Sequence, residues 1–199
     1  DLTSQTLLLN TPSANLYTNT TNLLFTWNDL QFADSFTFEL IKNLNGQTTL
    51  TQQAGITGTN FNVNASVFDE DAEYIWRVKA VNANSETAYT SRSIYIDRQA
   101  PNQPSLVSPI NEEIITAIAV DFNWTIGQDS GNVQSEVSSI LEIAQDVNFN
   151  TVIESFTVTN GTSQQIDIPN VGTYYWRVKT KDVAGNSSSY SISRSFTTE

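Results

Sequence analysis

Asp69-Glu70-Asp71-Ala72-Glu73 concentrates four carboxylates in five residues. Hard oxygen ligands at that density could hold calcium. The plainer alternative is a solvated turn, because the run lacks the ligand spacing of a recognised calcium loop. A second acidic motif, Asp146-Val-Asn-Phe-Asn150, opens like an EF-hand loop but has neither a glycine at its sixth position nor the distal glutamate. It reads as a turn with Phe149 buried. Asp129 and Glu136 could in principle hydrolyse glycosides as a pair. That chemistry needs two carboxyls about 5 to 9 Å apart in a cleft, tuned to opposite protonation states. A polar loop on a small domain supplies neither.

Histidine and cysteine are both absent, which removes the commonest general base, thiolate nucleophiles, disulfides and most zinc sites. The expectation is a protein that is not an enzyme, with no catalytic residue and no cofactor. Sugar stacking would need exposed aromatic platforms, and all four tryptophans fall at repeated apolar positions. Tyr17, Tyr95 and Tyr175 are the tyrosines without an evident repeated partner. Tyr175, at the outward position that Ile75 holds in the first half, is the best single platform. A net charge of −12 repels phosphate backbones, so nucleic acid is not expected as a partner. The apolar-rich stretch Ile114 to Phe122 is far shorter than the eighteen or more residues of a helical membrane span, and Asp121 interrupts it. Methionine is missing, charged residues make up only 15%, and Asn, Thr and Ser abound. That balance is expected of an exported, extracellular or cell-surface protein that has lost a signal peptide, with an outer-membrane lipid anchor ahead of Asp1 as an open possibility.

The elements that must position these groups are written twice. Phe25-Thr-Trp27 recurs as Phe122-Asn-Trp124, a shift from 25 to 122 of 97. Tyr74-Ile-Trp-Arg-Val-Lys79 recurs as Tyr174-Tyr-Trp-Arg-Val-Lys179, a shift of 100. Period-two alternation dominates both copies, and helical periodicity appears nowhere. Leu23, Phe25, Trp27 and Ile118, Val120, Phe122, Trp124 read as second strands of a sandwich. Phe36, Phe38, Leu40 and Leu141, Ile143 read as third strands, with Glu39 and Glu142 on the opposite face. If the third strand neighbours the long Tyr74 or Tyr174 strand, Glu39 can face Arg77 or Lys79, and Glu142 can face Arg177 or Lys179. Ile96 to Pro104, stiffened by two prolines, is the domain junction. The second copy carries six extra residues within Gly127 to Glu136, the loop between its second and third strands.

Leu141-Glu-Ile-Ala-Gln-Asp-Val-Asn-Phe-Asn-Thr-Val152, Gly172-Thr-Tyr-Tyr-Trp-Arg-Val-Lys-Thr-Lys-Asp-Val-Ala-Gly-Asn186, Tyr190 and Ser193-Arg-Ser-Phe196 resemble the fibronectin type III repeats of bacterial exported proteins. The resemblance covers nearly all of residues 104 to 199. The first half is similar more loosely, through Trp27, Tyr74 to Ala80, Asn82, Tyr89 and Arg92, without the Asp-x-Asn-Phe and Ala-Gly-Asn turns. The resemblance implies an all-β chain of two tandem seven-stranded antiparallel sandwiches, immunoglobulin-like with Greek-key connections. The domains would be 1–98, with a short lead-in, and 99–199. Trp27, Trp76, Trp124 and Trp176 then form the cores, and Tyr74 and Tyr174 tie back to the preceding turn. Such repeats space, stiffen or adhere, and none carries a family catalytic centre. The expected function is a spacer, adhesion or recognition module acting as a monomer on a protein or glycan partner. The alternative is a glycan-binding accessory protein of an outer-membrane polysaccharide-uptake system. Partner-binding candidates are Asp129, Asn132 and Glu136 in the inserted loop, where recognition is usually grafted, and Tyr175.

Overall fold

A computed structural model describes residues 1–199. Contacts divide the chain into Asp1–Arg98 with Gly131–Val133, and Gln99–Ser130 with Gln134–Glu199. The first unit runs β1 (Leu9–Thr11), β2 (Leu16–Thr18), β3 (Leu24–Trp27), β4 (Ser35–Asn43), β5 (Gln47–Ile56), β6 (Asn60–Asn62), β7 (Ala72–Val81) and β8 (Thr90–Ile96). The second runs β9 (Ser105–Ser108), β10 (Glu113–Ile115), β11 (Ala119–Thr125), β12 (Val137–Ala144), β13 (Val152–Thr159), β14 (Ser163–Asp167), β15 (Gly172–Asp182) and β16 (Arg194–Thr198). One 3-10 turn, Ala65–Val67, interrupts the first unit, capped by the Asn64 side chain accepting the Ser66 N–H at 3.0 Å. No periodicity announces so short a turn, because three residues make a single turn held by local bonds to the Asn64 side chain.

Each unit packs a three-stranded sheet against a five-stranded one. The orders are β1-β3-β6 with β2-β8-β7-β4-β5, and β14-β11-β9 with β10-β16-β15-β12-β13. The seven-strand plan holds with one refinement: the first strand is cut in two at a proline. β1 and β9 stay in the small sheets, while β2 and β10 cross over and pair parallel with β8 and β16. Pro12 and Pro109, both after cis peptide bonds, stand at the crossing points. Proline has no N–H to give a ladder, so pairing stops there and resumes on the other sheet.

The inward residues of the long strands fill the interior, as strict alternation requires. β7 alternates buried Ala72, Tyr74, Trp76, Val78 and Ala80 with half-exposed Glu73, Ile75, Arg77 and Lys79. β15 repeats the pattern with Tyr174, Trp176, Val178 and Thr180. Trp76 meets the Phe25 ring edge-on at 5.2 Å, and Trp176 meets Phe122 in the same way at 5.2 Å. Each unit therefore has its own aromatic core. Trp27 and Trp124 are each 2% exposed, yet their polar edges differ. The Trp124 Nε1–H donates to Ser139 Oγ at 2.7 Å. In the first unit the equivalent place is Phe36, whose ring packs edge-on against Trp27 at 5.7 Å, and Trp27 Nε1 has no acceptor.

Candidate functional site

The outer faces of the two five-stranded sheets each carry a cluster of charged side chains whose geometry follows from strand register. Glu39 on β4 lies opposite Arg77 on β7, and Glu142 on β12 lies opposite Arg177 on β15. Arg77 Nε donates to Glu39 Oε2 at 2.7 Å, while Tyr89 Oη and Gln52 Nε2 donate to Oε1 at 2.7 and 2.8 Å. In the second unit Arg177 donates twice to Glu142 Oε2, at 2.9 and 2.7 Å, and Tyr190 Oη donates to Oε1 at 2.7 Å. The Arg77 guanidinium also lies 4.4 Å from the Tyr89 ring centroid, and that of Arg177 lies 3.7 Å from Tyr190. Cation–π contact and charge-assisted hydrogen bonds thus converge on one arginine per unit.

Burial alone would raise the Glu39 carboxyl, but the Tyr89 hydroxyl and the Arg77 guanidinium outweigh it and hold the group below its ordinary value. Glu142 is set the same way, burial being opposed by Tyr190 and Arg177. The two phenols move in the other direction. Burial and the carboxylate each one serves push Tyr89 and Tyr190 up to about 12. A carboxylate fixed as an anion and a phenol fixed as a neutral donor exchange no proton near neutrality. The cluster is a lock between strands.

Phe149 departs from the sequence expectation. It is only partly buried, on the outer face, where its ring lies 3.9 Å from the Arg177 guanidinium and sandwiches it against Tyr190. Its φ of 58° lies in the left-handed region, imposed by a turn that Asp146 organises. Asp146 accepts the N–H groups of Asn148, Asn150 and Thr151 at 3.1, 3.1 and 2.7 Å. The carboxylate is thereby saturated by its own loop.

The acidic run before Tyr74 does not converge on one point. Lys42 Nζ lies 3.1 Å from Asp69 and 2.5 Å from Glu70, and Arg98 Nε lies 2.7 Å from Asp71. Glu73 points to the outer sheet face instead, accepting from Asn43 Nδ2 at 2.6 Å and Ser93 Oγ at 2.5 Å. Each carboxylate of the calcium candidate is thus paired, Asp69 and Glu70 with Lys42, Asp71 with Arg98, and Glu73 with Asn43 and Ser93. The strand that follows carries the two tyrosine ties: Tyr74 Oη donates to the Glu70 carbonyl at 2.9 Å, and Tyr174 Oη to the Asn170 carbonyl at 3.0 Å.

In the inserted loop, Asp129 turns back on its own backbone, accepting Ser130 N–H at 2.9 Å and Ser135 N–H at 2.6 Å. Its carboxylate shapes the loop rather than facing outward. Asn132 and Glu136 are exposed. Glu136 stands at the rim of a depression of about 350 Å³ lined by Ser138, Thr157, Thr159, Lys181 and Val183. Tyr175, half-exposed, lies opposite Ala144 and Ser195, away from that rim. The four partner-binding candidates therefore do not form one site. An aromatic pair that pattern reading did not join does come together: the rings of Tyr17 on β2 and Tyr95 on β8 stack with centroids 4.5 Å apart and planes 13° apart.

No family model and no curated protein matches the sequence. Among solved structures, the chicken CNTN1 FN1-FN3 domains match 100% of this chain and 68% of that chain, with a TM-score of 0.64 and 14% identity. The fibronectin(III)-like modules of Clostridium thermocellum CbhA match 97% of this chain and 93% of that chain, with a TM-score of 0.54 and 12% identity. Both halves carry the fibronectin type III fold. At such identities the likeness is one of architecture, and the Glu-Arg-Tyr cluster is what this chain itself repeats on each of its two fibronectin type III sheets. The strand-linking turns of the two units are built alike as well. Asp182 Oδ1 accepts the N–H groups of Gly185 and Asn186, and in the first unit Asn82 Oδ1 accepts those of Asn84 and Ser85, without the Ala-Gly-Asn sequence. An Asx side chain does the work in both.

Proposed function

We propose that this protein is a non-enzymatic, exported surface module, in which tandem fibronectin type III sandwiches space and present recognition surfaces. The observation that carries the reading is where the perturbed groups lie. Glu39, Tyr89, Glu142 and Tyr190 belong to repeated inter-strand locks on open sheet faces, not to a cleft holding a nucleophile and its base. A composition without histidine or cysteine, low in charge and rich in Asn, Thr and Ser, supports export. No helix is long and apolar enough to cross a membrane. The protein acts as a monomer in this reading. Its open edge strand β5 pairs irregularly with β4 at two places, between Phe36 and Phe38 and between Leu40 and Ile41, and such bulges discourage edge-to-edge association.

Antibody raised against residues 1–199 and applied to intact cells of the source organism tests the placement. Surface labelling, lost on brief external protease treatment, is the expected result. Labelling that requires permeabilised cells overturns export and the functional reading that depends on it. The glycan-binding alternative gains support from one feature, the Tyr17–Tyr95 stack.

A further inference from the structure

The two units provide an internal control, since a residue the scaffold needs recurs in both. Across the outer face of the first five-stranded sheet, one row takes a residue from every strand: Tyr17 pairs with Tyr95, Tyr95 with Glu73, Glu73 with Asn43, and Asn43 with Gln47. At strand spacing the row runs about 19 Å. In the second unit the positions of Tyr17, Tyr95 and Glu73 are Ile114, Thr197 and Thr173. The fold is built without the two phenols and the carboxylate, so they are additions to the first unit.

Their arrangement is specific. Neighbouring strands lie about 4.8 Å apart, and rings whose centroids are 4.5 Å apart in nearly parallel planes cannot lie side by side, so they stack face to face along the direction that crosses the strands. Tyr95 thus covers one face of Tyr17. The other face looks out past β2, the edge strand of the sheet. Asn15 and Asn19, both exposed, bracket Tyr17 in the chain. On the other side of Tyr95, Glu73 is held by Asn43 and Ser93, which fixes its carboxylate without covering the row.

We propose that this row, with Tyr17 at its head and Tyr95, Glu73, Asn43 and Gln47 behind it, binds a neutral saccharide chain. The uncovered face of a half-exposed phenol such as Tyr17 matches the C–H face of a pyranose, and amide and carboxylate groups are the donors and acceptors that hydroxyls require. Glu73 in the row and a net charge of −12 select against uronate or sulfated chains. The site gives the recognition-module reading a ligand and rests on it only for access to the ligand outside the cell.

Affinity electrophoresis of the 199-residue protein tests it, in gels carrying hydroxyethylcellulose, arabinoxylan, galactomannan or amylopectin, with polygalacturonate as the anionic counterpart. At least one neutral polysaccharide is expected to retard migration, and polygalacturonate is not. The double variant Tyr17→Ile/Tyr95→Thr installs the second unit's own residues and should keep its circular dichroism and melting temperature while its Kd rises about tenfold or more. Tyr17→Ala alone, at the sheet edge, provides a second variant with little to lose in packing, and Tyr175→Ala should bind as the parent does. The proposal is overturned by retardation in no neutral gel, by retardation in polygalacturonate alone, by undiminished binding of a folded double variant, or by loss through Tyr175→Ala instead. None of those outcomes touches surface labelling, so failure here and failure of the broader reading are told apart.

Discussion

At the scale of single residues, the repeat lets each position be judged against its twin. Trp124 keeps its indole N–H bonded to Ser139, where the first unit spends the same space on Phe36. Ser139→Ala should leave that N–H buried without an acceptor and lower stability by about 1–3 kcal/mol in denaturant unfolding. A loss below a few tenths of a kcal/mol would mean the indole finds another partner. Gly127 is the root of the inserted loop, and its neighbours leave no room for a side chain. A Cβ there would lie 1.7 Å from the Asn102 carbonyl oxygen and 2.9 Å from Thr180 Oγ1. The same close approach lets Gly127 N–H donate to Thr180 and Gln128 C=O accept from Asn102 N–H. Gly127→Ala must push backbone away from backbone, and an upper-end overpacking loss of about 3 kcal/mol is expected. A melting temperature unchanged from the parent would show that the loop root yields freely.

At the scale of strands, the Glu-Arg-Tyr locks tie the third strand to the long one and to the segment after it. Their titration has a definite sign. A phenol raised to about 12 contributes stability that is whole below the ordinary tyrosine value of 10.0 and is lost as pH climbs through the folded value. Melting temperature should therefore fall between pH 10 and about 12. The Tyr89→Phe/Tyr190→Phe variant should start lower and lose less over that interval. The carboxylates act at the other end. Glu39 and Glu142 sit below their ordinary 4.5, so their contribution is present above that value and disappears as pH falls through the lower folded one. Equal alkaline losses in parent and variant would remove the phenols from the lock. The register was legible from sequence, since alternation put Glu39 and Arg77 on one face and the topology put their strands together. The tyrosines were not: Tyr89 and Tyr190 lie outside any regular strand, and only the returning chain brings their hydroxyls to the carboxylates.

At the scale of the whole molecule, each half has an interior of its own, with Phe25, Trp27, Phe38 and Trp76 in one and Phe122, Trp124, Trp176 and Phe196 in the other. Residues 1–98 and 99–199 expressed separately should each unfold cooperatively with a β-type circular dichroism spectrum. A half that stays unfolded alone would show that its stability depends on the rest of the chain. Net charge on this scale is negative, −12, and it bears on partners, not on fold. The amino-acid order by itself determined the duplication, the inward rings, the strand alternation and the exclusion of histidine and cysteine chemistry, because each of these is a local pattern repeated along the chain. It could not join Tyr17 to Tyr95, separate the four carboxylates before Tyr74 or turn Asp129 inward. Those are decided where segments far apart in sequence meet: β2 leaves the small sheet at Pro12 and lies along β8, Lys42 and Arg98 reach the acidic turn from two different strand ends, and Ser135 closes the loop onto its own carboxylate. Local periodicity states which face a side chain takes, and only the closed sheets state what waits for it there.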